Sequence, residues 1–217
     1  MKPGRVLCLE GLNGCGKTTT SEALREVMQR AGHRVKLFRD PGATVVGNAI
    51  RGIVKDPEIK MEPMTQMLLY TAARAQLAHE IVPFIEEGGH VILDRWWLST
   101  YVYQGFVGGI DTDLIMHLVD VTTPAVCRTT KALTFFIDPG VMTCVQRSGA
   151  LEAGRGIEDG GDRFEKQGIA FQEKLHDGYM RLVQLGHMRH VRSNLLNPPE
   201  MAEFMYEFYI REEIGDA

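Results

Sequence analysis

Gly11-Leu12-Asn13-Gly14-Cys15-Gly16-Lys17-Thr18 has the spacing G-x-x-x-x-G-K-S/T of a phosphate-binding loop. Glycines at these positions let the backbone curl until several N–H groups point at one phosphate, and a helix opening there adds its positive end. Lys17 then reaches the outer phosphates of ATP, and the Thr18 hydroxyl meets the Mg²⁺ that travels with them. A plain glycine-rich turn would share the spacing, so the flanks decide. Before the loop, Arg5 to Glu10 reads as a buried strand; after it, Leu24, Val27, Met28 and Ala31 fall at helical spacing. Strand, loop and helix in that order favour the phosphate site. Its ATP-binding residues are then Gly11, Asn13, Gly14, Cys15, Gly16, Lys17, Thr18 and Thr19.

Such a loop serves GTPase switches, motor or regulatory ATPases and small-molecule kinases. The D-x-x-G and N-K-x-D patterns of a guanine-reading switch are not in the sequence, and 217 residues give no length for a motor's extra domains. What remains is phosphoryl transfer between small molecules, where catalysis is mostly positioning and neutralisation of oxygen charge. That chemistry needs cations for a second, acceptor phosphate. Asp94-Arg95 follows directly on an apolar strand, and ligands of open parallel sheets bind beyond the carboxyl ends of strands. Asp94 can hold Mg²⁺ through water or accept hydrogen bonds at the reaction centre, although an aspartate there can also simply cap a helix. Arg51 would supply the other arm of a clamp with Arg95. Tyr70 and Arg74, four apart on one helix face, can stack on a flat base and hydrogen-bond its edge. Thr100 and Gln104 share the same spacing, with Tyr103 beside them.

The elements that must position these groups alternate in type. Strands are expected at 5–10, 35–39, 90–94, 132–137 and, more weakly, 187–191. Helices are expected after the loop, over 45–54, from about Met64, and over 201–210. Met64, Met67, Leu68, Thr71, Ala72, Ala75 and Ala78 make the expected buried stripe of the long helix. The alternation predicts one α/β domain over 1–217, a five-stranded parallel sheet with helices on both faces. Ser148 to Gly161 is glycine-rich and nearly free of large apolar residues. Bracketed by Arg147, Arg155 and Arg163, it reads as a lid over about 147–163 that closes on phosphates, though a surface loop would look alike.

Hydrophobic residues at 44% and charged residues at 24% are ordinary for a soluble domain, and a net charge of −4 predicts no general attraction to nucleic acid or anionic membrane. No apolar run approaches the ~20 residues that span a bilayer. The four cysteines (Cys8, Cys15, Cys127, Cys144) lack metal-ligand spacing, which predicts a reducing cytoplasmic compartment. A core strand so near the N-terminus is expected to leave no room for a cleaved signal.

Together these residues resemble the thymidylate kinases (dTMP kinases), almost end to end. Phe38-Arg39-Asp40-Pro41-Gly42-Ala43-Thr44 is similar to that family's F-x-R-E-P-G-G-T, and Tyr70 to Leu77 to its Y-A-A-R-x-Q-L helix. Asp94-Arg95 with Ser99-Thr100-x-x-Tyr103-Gln104-Gly105 is similar to its D-R…S-S/T-x-A-Y-Q-G segment. Asp162-Arg163-Phe164-Glu165 followed by Tyr179 resembles the D-R-x-E…Y after its lid. The resemblance implies a P-loop nucleoside monophosphate kinase fold and transfer of the ATP γ-phosphate onto dTMP. It implies Arg51 and Arg95 on the dTMP phosphate, and Arg74, Thr100 and Gln104 on the thymine edge. Tyr103 would lie near the deoxyribose, and Asp40, Pro41, Tyr70, Ser99 and Tyr179 would complete the acceptor site. It implies bacterial-type lid arginines, Arg147 and Arg155, acting in catalysis with Lys17, Asp94 and Arg95. It also implies a homodimer.

Three positions depart from the family pattern. Asn13 replaces an acidic residue, Asp40 replaces Glu, and Tyr70 replaces the stacking phenylalanine. A kinase for dUMP or a 5-modified pyrimidine deoxynucleotide is therefore an alternative. A deoxynucleoside kinase and a nucleotide-binding regulatory module without turnover are further rivals.

Overall fold

The computed structural model describes residues 2–129, 133–148, 164 and 167–215, with no side-chain account beyond residue 211. Its described strands are β1 (Val6–Glu10), β2 (Val35–Arg39), β3 (His90–Asp94), β4 (Thr134–Ile137) and β5 (Arg189–Val191). They form one all-parallel sheet in the order β2-β3-β1-β4-β5. β1, β3 and β4 are buried along their whole length, as their unbroken apolar runs require of strands covered on both faces. The helices are α1 (Lys17–Arg30), α2 (Val45–Lys55), α3 (Pro63–Glu86), α4 (Trp97–Thr100), α5 (Thr112–Thr122), α6 (Val141–Arg147), α7 (Ile169–Gln184) and α8 (Pro198–Gly215). A π-helical turn, Tyr101–Val107, continues α4.

This is the expected α/β architecture, with β2 and β3 at the expected bounds. The expected lid, about 147–163, falls almost wholly outside the described residues, as do Arg155 and Arg163; only Arg147 and Ser148 of that stretch are described.

One expectation is corrected. On α3, Met67, Thr71 and Ala78 are buried, but Met64 is 43% and Leu68 51% exposed, and Ala72 also faces out. The inward face instead carries Gln66, Ala73, Arg74, Leu77, Ile81 and Ile85. Both helix faces hold apolar residues, so periodicity alone does not fix the rotation. What fixes it is that Gln66 and Arg74 find polar partners inside, which offsets their desolvation.

Two glycines show why the loop after β1 has its composition. Gly11 has φ 144°, and a Cβ there would lie 2.6 Å from the Ile137 carbonyl oxygen. Gly14 has φ 79°, and a Cβ would lie 2.4 Å from the Cys144 oxygen on α6. Both positions are closed to side chains by backbone conformation and by space.

Beyond β4, Asp138 ties three elements together. Its Oδ2 accepts from His176 Nε2 of α7 (3.1 Å) and His190 Nε2 of β5 (2.7 Å), and its Oδ1 from the Gly140 N–H before α6 (2.9 Å). Burial pushes this carboxyl up, but the two imidazoles and the N–H outweigh it and hold it at about 2. The bond to Asp138 raises His176 against the opposing effect of burial. The depressed carboxyl gives stability that is present above its unfolded value of about 3.9 and is lost as pH falls toward 2. The raised imidazole gives stability that is present below about pH 6.5 and is lost as pH rises through its folded value. Asp138→Asn should therefore show its largest loss of unfolding free energy between about pH 4 and 6.5, shrinking on both sides. Urea denaturation across pH checks this; a deficit independent of pH contradicts it.

Candidate active site

The carboxyl end of the sheet opens into a cavity of about 780 Å³. The loop from Asn13 to Thr19 lines its middle, because β1 is the central strand. Arg39, Asp40, Arg51, Tyr70, Arg74 and Arg95 enter from the β2 and β3 side, with Thr100, Tyr103 and Gln104 beyond them. Ser193, Leu196, Asn197, Pro198 and Met201 enter from β5 and the start of α8, on the opposite flank of the sheet.

In the loop, Lys17 Nζ donates to the carbonyls of Gly11 (3.0 Å) and Leu12 (2.7 Å). Beside it, Thr18 Oγ1 donates to Asp94 Oδ2 (2.8 Å). Arg39 also bonds that oxygen through Nε (3.2 Å) and Nη2 (3.0 Å), and its Nη2 contacts the Thr18 hydroxyl. Burial raises the Asp94 carboxyl, yet the charges of Lys17, Arg39 and Arg95 prevail and hold it below the usual range. Asp94 is thus an ionised oxygen donor beside a hydroxyl.

Arg95 occupies the left-handed region at φ 73°, uncommon outside glycine and costing about 1–3 kcal/mol. Its N–H still extends the ladder by bonding Leu9 O (2.9 Å), so the reversal happens where β3 ends. The guanidinium is then fixed from several sides. Nη1 donates to Ser99 Oγ (3.1 Å) and Tyr179 OH (3.1 Å), Nη2 to Asn13 Oδ1 (2.7 Å), and the group lies over the Tyr103 ring at 5.5 Å. Behind it is Glu10, fully buried at the end of β1. Glu10 Oε1 accepts from the Trp96 and Ser99 N–H groups (2.9 and 3.2 Å), and Oε2 from Ser99 Oγ (2.6 Å) and Tyr179 OH (3.1 Å). Burial pushes the Glu10 carboxyl up, against the Arg95 charge and the bonds from Ser99 and Trp96.

Farther along, Arg74 and Asp40 form a buried ion pair. Arg74 Nε and Nη2 lie 2.9 and 2.8 Å from Asp40 Oδ2, Nη2 also donates to Thr100 Oγ1 (3.0 Å), and Trp96 lies 5.5 Å from the guanidinium. Burial raises the Asp40 carboxyl against the Arg74 charge. Arg51 Nη1 donates to Pro41 O (2.8 Å), which holds α2 against the cis Asp40–Pro41 turn. Gln104 Nε2 donates to Gln66 Oε1 (3.2 Å).

The sequence-derived candidates thus converge on one cavity, with three exceptions. Gly11 stands behind the wall and holds Lys17 by its carbonyl. Tyr179 is buried behind Arg95 and positions it, while Arg155 lies outside the described residues. Arg147, exposed at the end of α6, does line the cavity. Sequence reasoning missed Arg39, Glu10 and Gln66. Arg39 stood inside a motif that pointed to it; a strand's last residue and a helix glutamine gave no such signal.

A phosphate loop after a central strand, facing fixed arginines on the neighbouring strand's end, defines a P-loop nucleoside monophosphate kinase. The thymidylate kinase family model matches residues 9–201, and the chain belongs to that family. It is 36% identical over 182 residues to the thymidylate kinase of Thermoanaerobacter sp. (strain X514), covering 83% of this chain and 84% of that one. It is 38% identical over 182 residues to that of Geobacter sulfurreducens, at the same coverages. The crystal structure of thymidylate kinase from Ehrlichia chaffeensis superposes with TM-score 0.66 at 25% identity, covering 87% of this chain and 93% of that one.

Glu10→Gln replaces an acceptor of four hydrogen bonds from N–H and O–H donors by a group that must turn an NH₂ toward donors. It should cost about 1–3 kcal/mol of unfolding free energy and, by loosening Arg95, raise the KM of one of the two nucleotides. Denaturation and steady-state kinetics check both; an unchanged KM contradicts the link from Glu10 to Arg95.

Proposed function

We propose that the chain transfers the γ-phosphoryl group of ATP to the 5′-phosphate of dTMP, giving dTDP. The observation that supports this most is the division of a single cavity by the phosphate loop. An ATP held at Lys17 has Ser193 to Met201 available for its base, and an acceptor phosphate at Arg95 and Arg51 leaves its base between Tyr70, Arg74 and Gln104. Two anionic nucleotides then meet end to end with cations between them, the arrangement that phosphoryl transfer requires.

Each residue has a task in this reading. Lys17 leaves the loop carbonyls for the donor's outer phosphates, Arg95 orients the attacking phosphate oxygen, and Arg147 and Arg155 neutralise charge that spreads over the transferred group. Thr18 and Asp94, a hydroxyl and an ionised carboxylate 2.8 Å apart, are the hard oxygen donors suited to Mg²⁺. That ion, when bound, withdraws charge from the phosphate oxygens. The outward apolar residues of α3, among them Met64 and Leu68, are offered as the face of a homodimer. The four cysteines are free and buried, which suits a reducing cytoplasm. No helix among the described residues is long and apolar enough to cross a membrane.

A coupled assay against dTMP, dUMP, 5-hydroxymethyl-dUMP, dCMP and thymidine tests the proposal. dTMP should give the highest kcat/KM, and Arg95→Ala should lower it by about 100-fold or more. Preference for thymidine with Arg95→Ala inert would mean a nucleoside kinase instead. Preference for 5-hydroxymethyl-dUMP, lost in Tyr70→Phe, would mean that the tyrosine hydroxyl recognises a polar 5-substituent on the base.

A further inference from the structure

We infer that Gln66, which does not line the cavity, is a positioning residue that sets the pyrimidine selectivity of the acceptor site by fixing which end of the Gln104 amide faces the base. The inference rests on the proposed binding of the acceptor base at Gln104 and extends it. Gln66 is buried on the inner face of α3, and its side chain bridges two groups: Nε2 donates to Met61 O (3.1 Å) and Oε1 accepts from Gln104 Nε2 (3.2 Å).

Amide ends are distinguished only by their partners, and here the partners decide. Met61 O is a carbonyl and can only accept, so the Gln66 atom beside it must be the NH₂. The other end of Gln66 must then be the carbonyl oxygen. The atom that Gln104 presents to that oxygen must in turn be its own NH₂, because two carbonyl oxygens at 3.2 Å would repel. One backbone carbonyl thus sets the polarity of a chain that runs from Met61 through Gln66 to Gln104. Gln104 is itself buried yet lines the cavity, and its Oε1 is the end left over for a ligand.

A carbonyl oxygen presented there accepts from a ring N–H. Thymine and uracil carry a hydrogen on N3; cytosine carries a lone pair. Arg74, permanently protonated and donor-only, asks for a carbonyl oxygen at the neighbouring position of the same edge. Acceptor beside donor is the complement of the thymine or uracil edge and the mismatch of the cytosine edge, where buried groups would be left unpaired. Without Gln66 the Gln104 amide turns freely and can offer its NH₂ to a cytosine N3.

The test compares kcat/KM for dTMP and dCMP in the parent, Gln66→Met, Gln104→Ala and the double variant, each checked by thermal melting. Gln66→Asn, too short to span both partners, replaces Gln66→Met if the latter does not fold. Gln66→Met should raise the dTMP KM more than it lowers kcat, and should reduce the dTMP-to-dCMP ratio by about tenfold, the worth of one hydrogen bond. It should add no further loss of selectivity in the Gln104→Ala background. Selectivity unchanged by Gln66→Met, while Gln104→Ala raises the dTMP KM, overturns the relay and leaves the proposed function standing. A further selectivity loss in the double variant equally overturns it, because Gln66 then acts apart from Gln104. Gln104→Ala without effect on dTMP overturns the base placement itself.

Discussion

Repulsion between two polyanions is the constraint that shapes this molecule. Phosphoryl transfer requires phosphate oxygens of both nucleotides to approach within bonding distance, so positive charge must already stand where they meet. An arginine free to rotate would lose entropy on each encounter. Arg95 is instead held by Ser99, Tyr179 and Asn13, and its backbone sits in a conformation that costs energy. Glu10, buried beneath it, gives the hydroxyls that hold the guanidinium acceptors of their own. Fixing one cation thus draws in the end of β1, the short helix α4 and the later helix α7.

The same logic accounts for the rest of the polar interior. Asp94 is ionised because Lys17, Arg39 and Arg95 surround it, and Asp40 is tolerated in the interior because Arg74 pairs with it. Breaking that pair would strand a charge, so the turn after β2 and the long helix α3 are locked in register. The parallel sheet places all of these groups at one end. Its order, with the loop's strand in the middle, puts Arg74 and Gln104 on one side of the phosphate loop and Asn197 and Met201 on the other.

What could be read from the sequence was what is local along the chain. The phosphate loop works through contiguous backbone, so its spacing survives as a pattern. The buried strands are runs of apolar residues, and their type followed without contact information. Glu10, by contrast, acts through partners 86 to 169 residues away, and Arg39 through one 55 away; neither relation has a sequence period. Gln66 meets Gln104 across 38 residues and looks like any helix glutamine. The rotation of α3 is not legible for a related reason: apolar residues stand on both of its faces, and two buried polar residues, Gln66 and Arg74, mark the inside. Asn13 reads differently once placed. Its amide oxygen holds Arg95, so the loss of a carboxylate at that position is compatible with a structural role for the side chain.

The central claim is that one cavity holds both nucleotides at once, with their phosphate chains meeting between Lys17 and Arg95. Isothermal titration with adenosine and thymidine joined through a 5′,5′-oligophosphate of five phosphates measures this directly. Because the link makes the second contact intramolecular, the compound should bind about 100-fold or more tightly than ATP or dTMP alone, with one molecule per chain, and should be displaced by either nucleotide. Affinity no better than that of one nucleotide, with displacement by only one of them, would contradict the account.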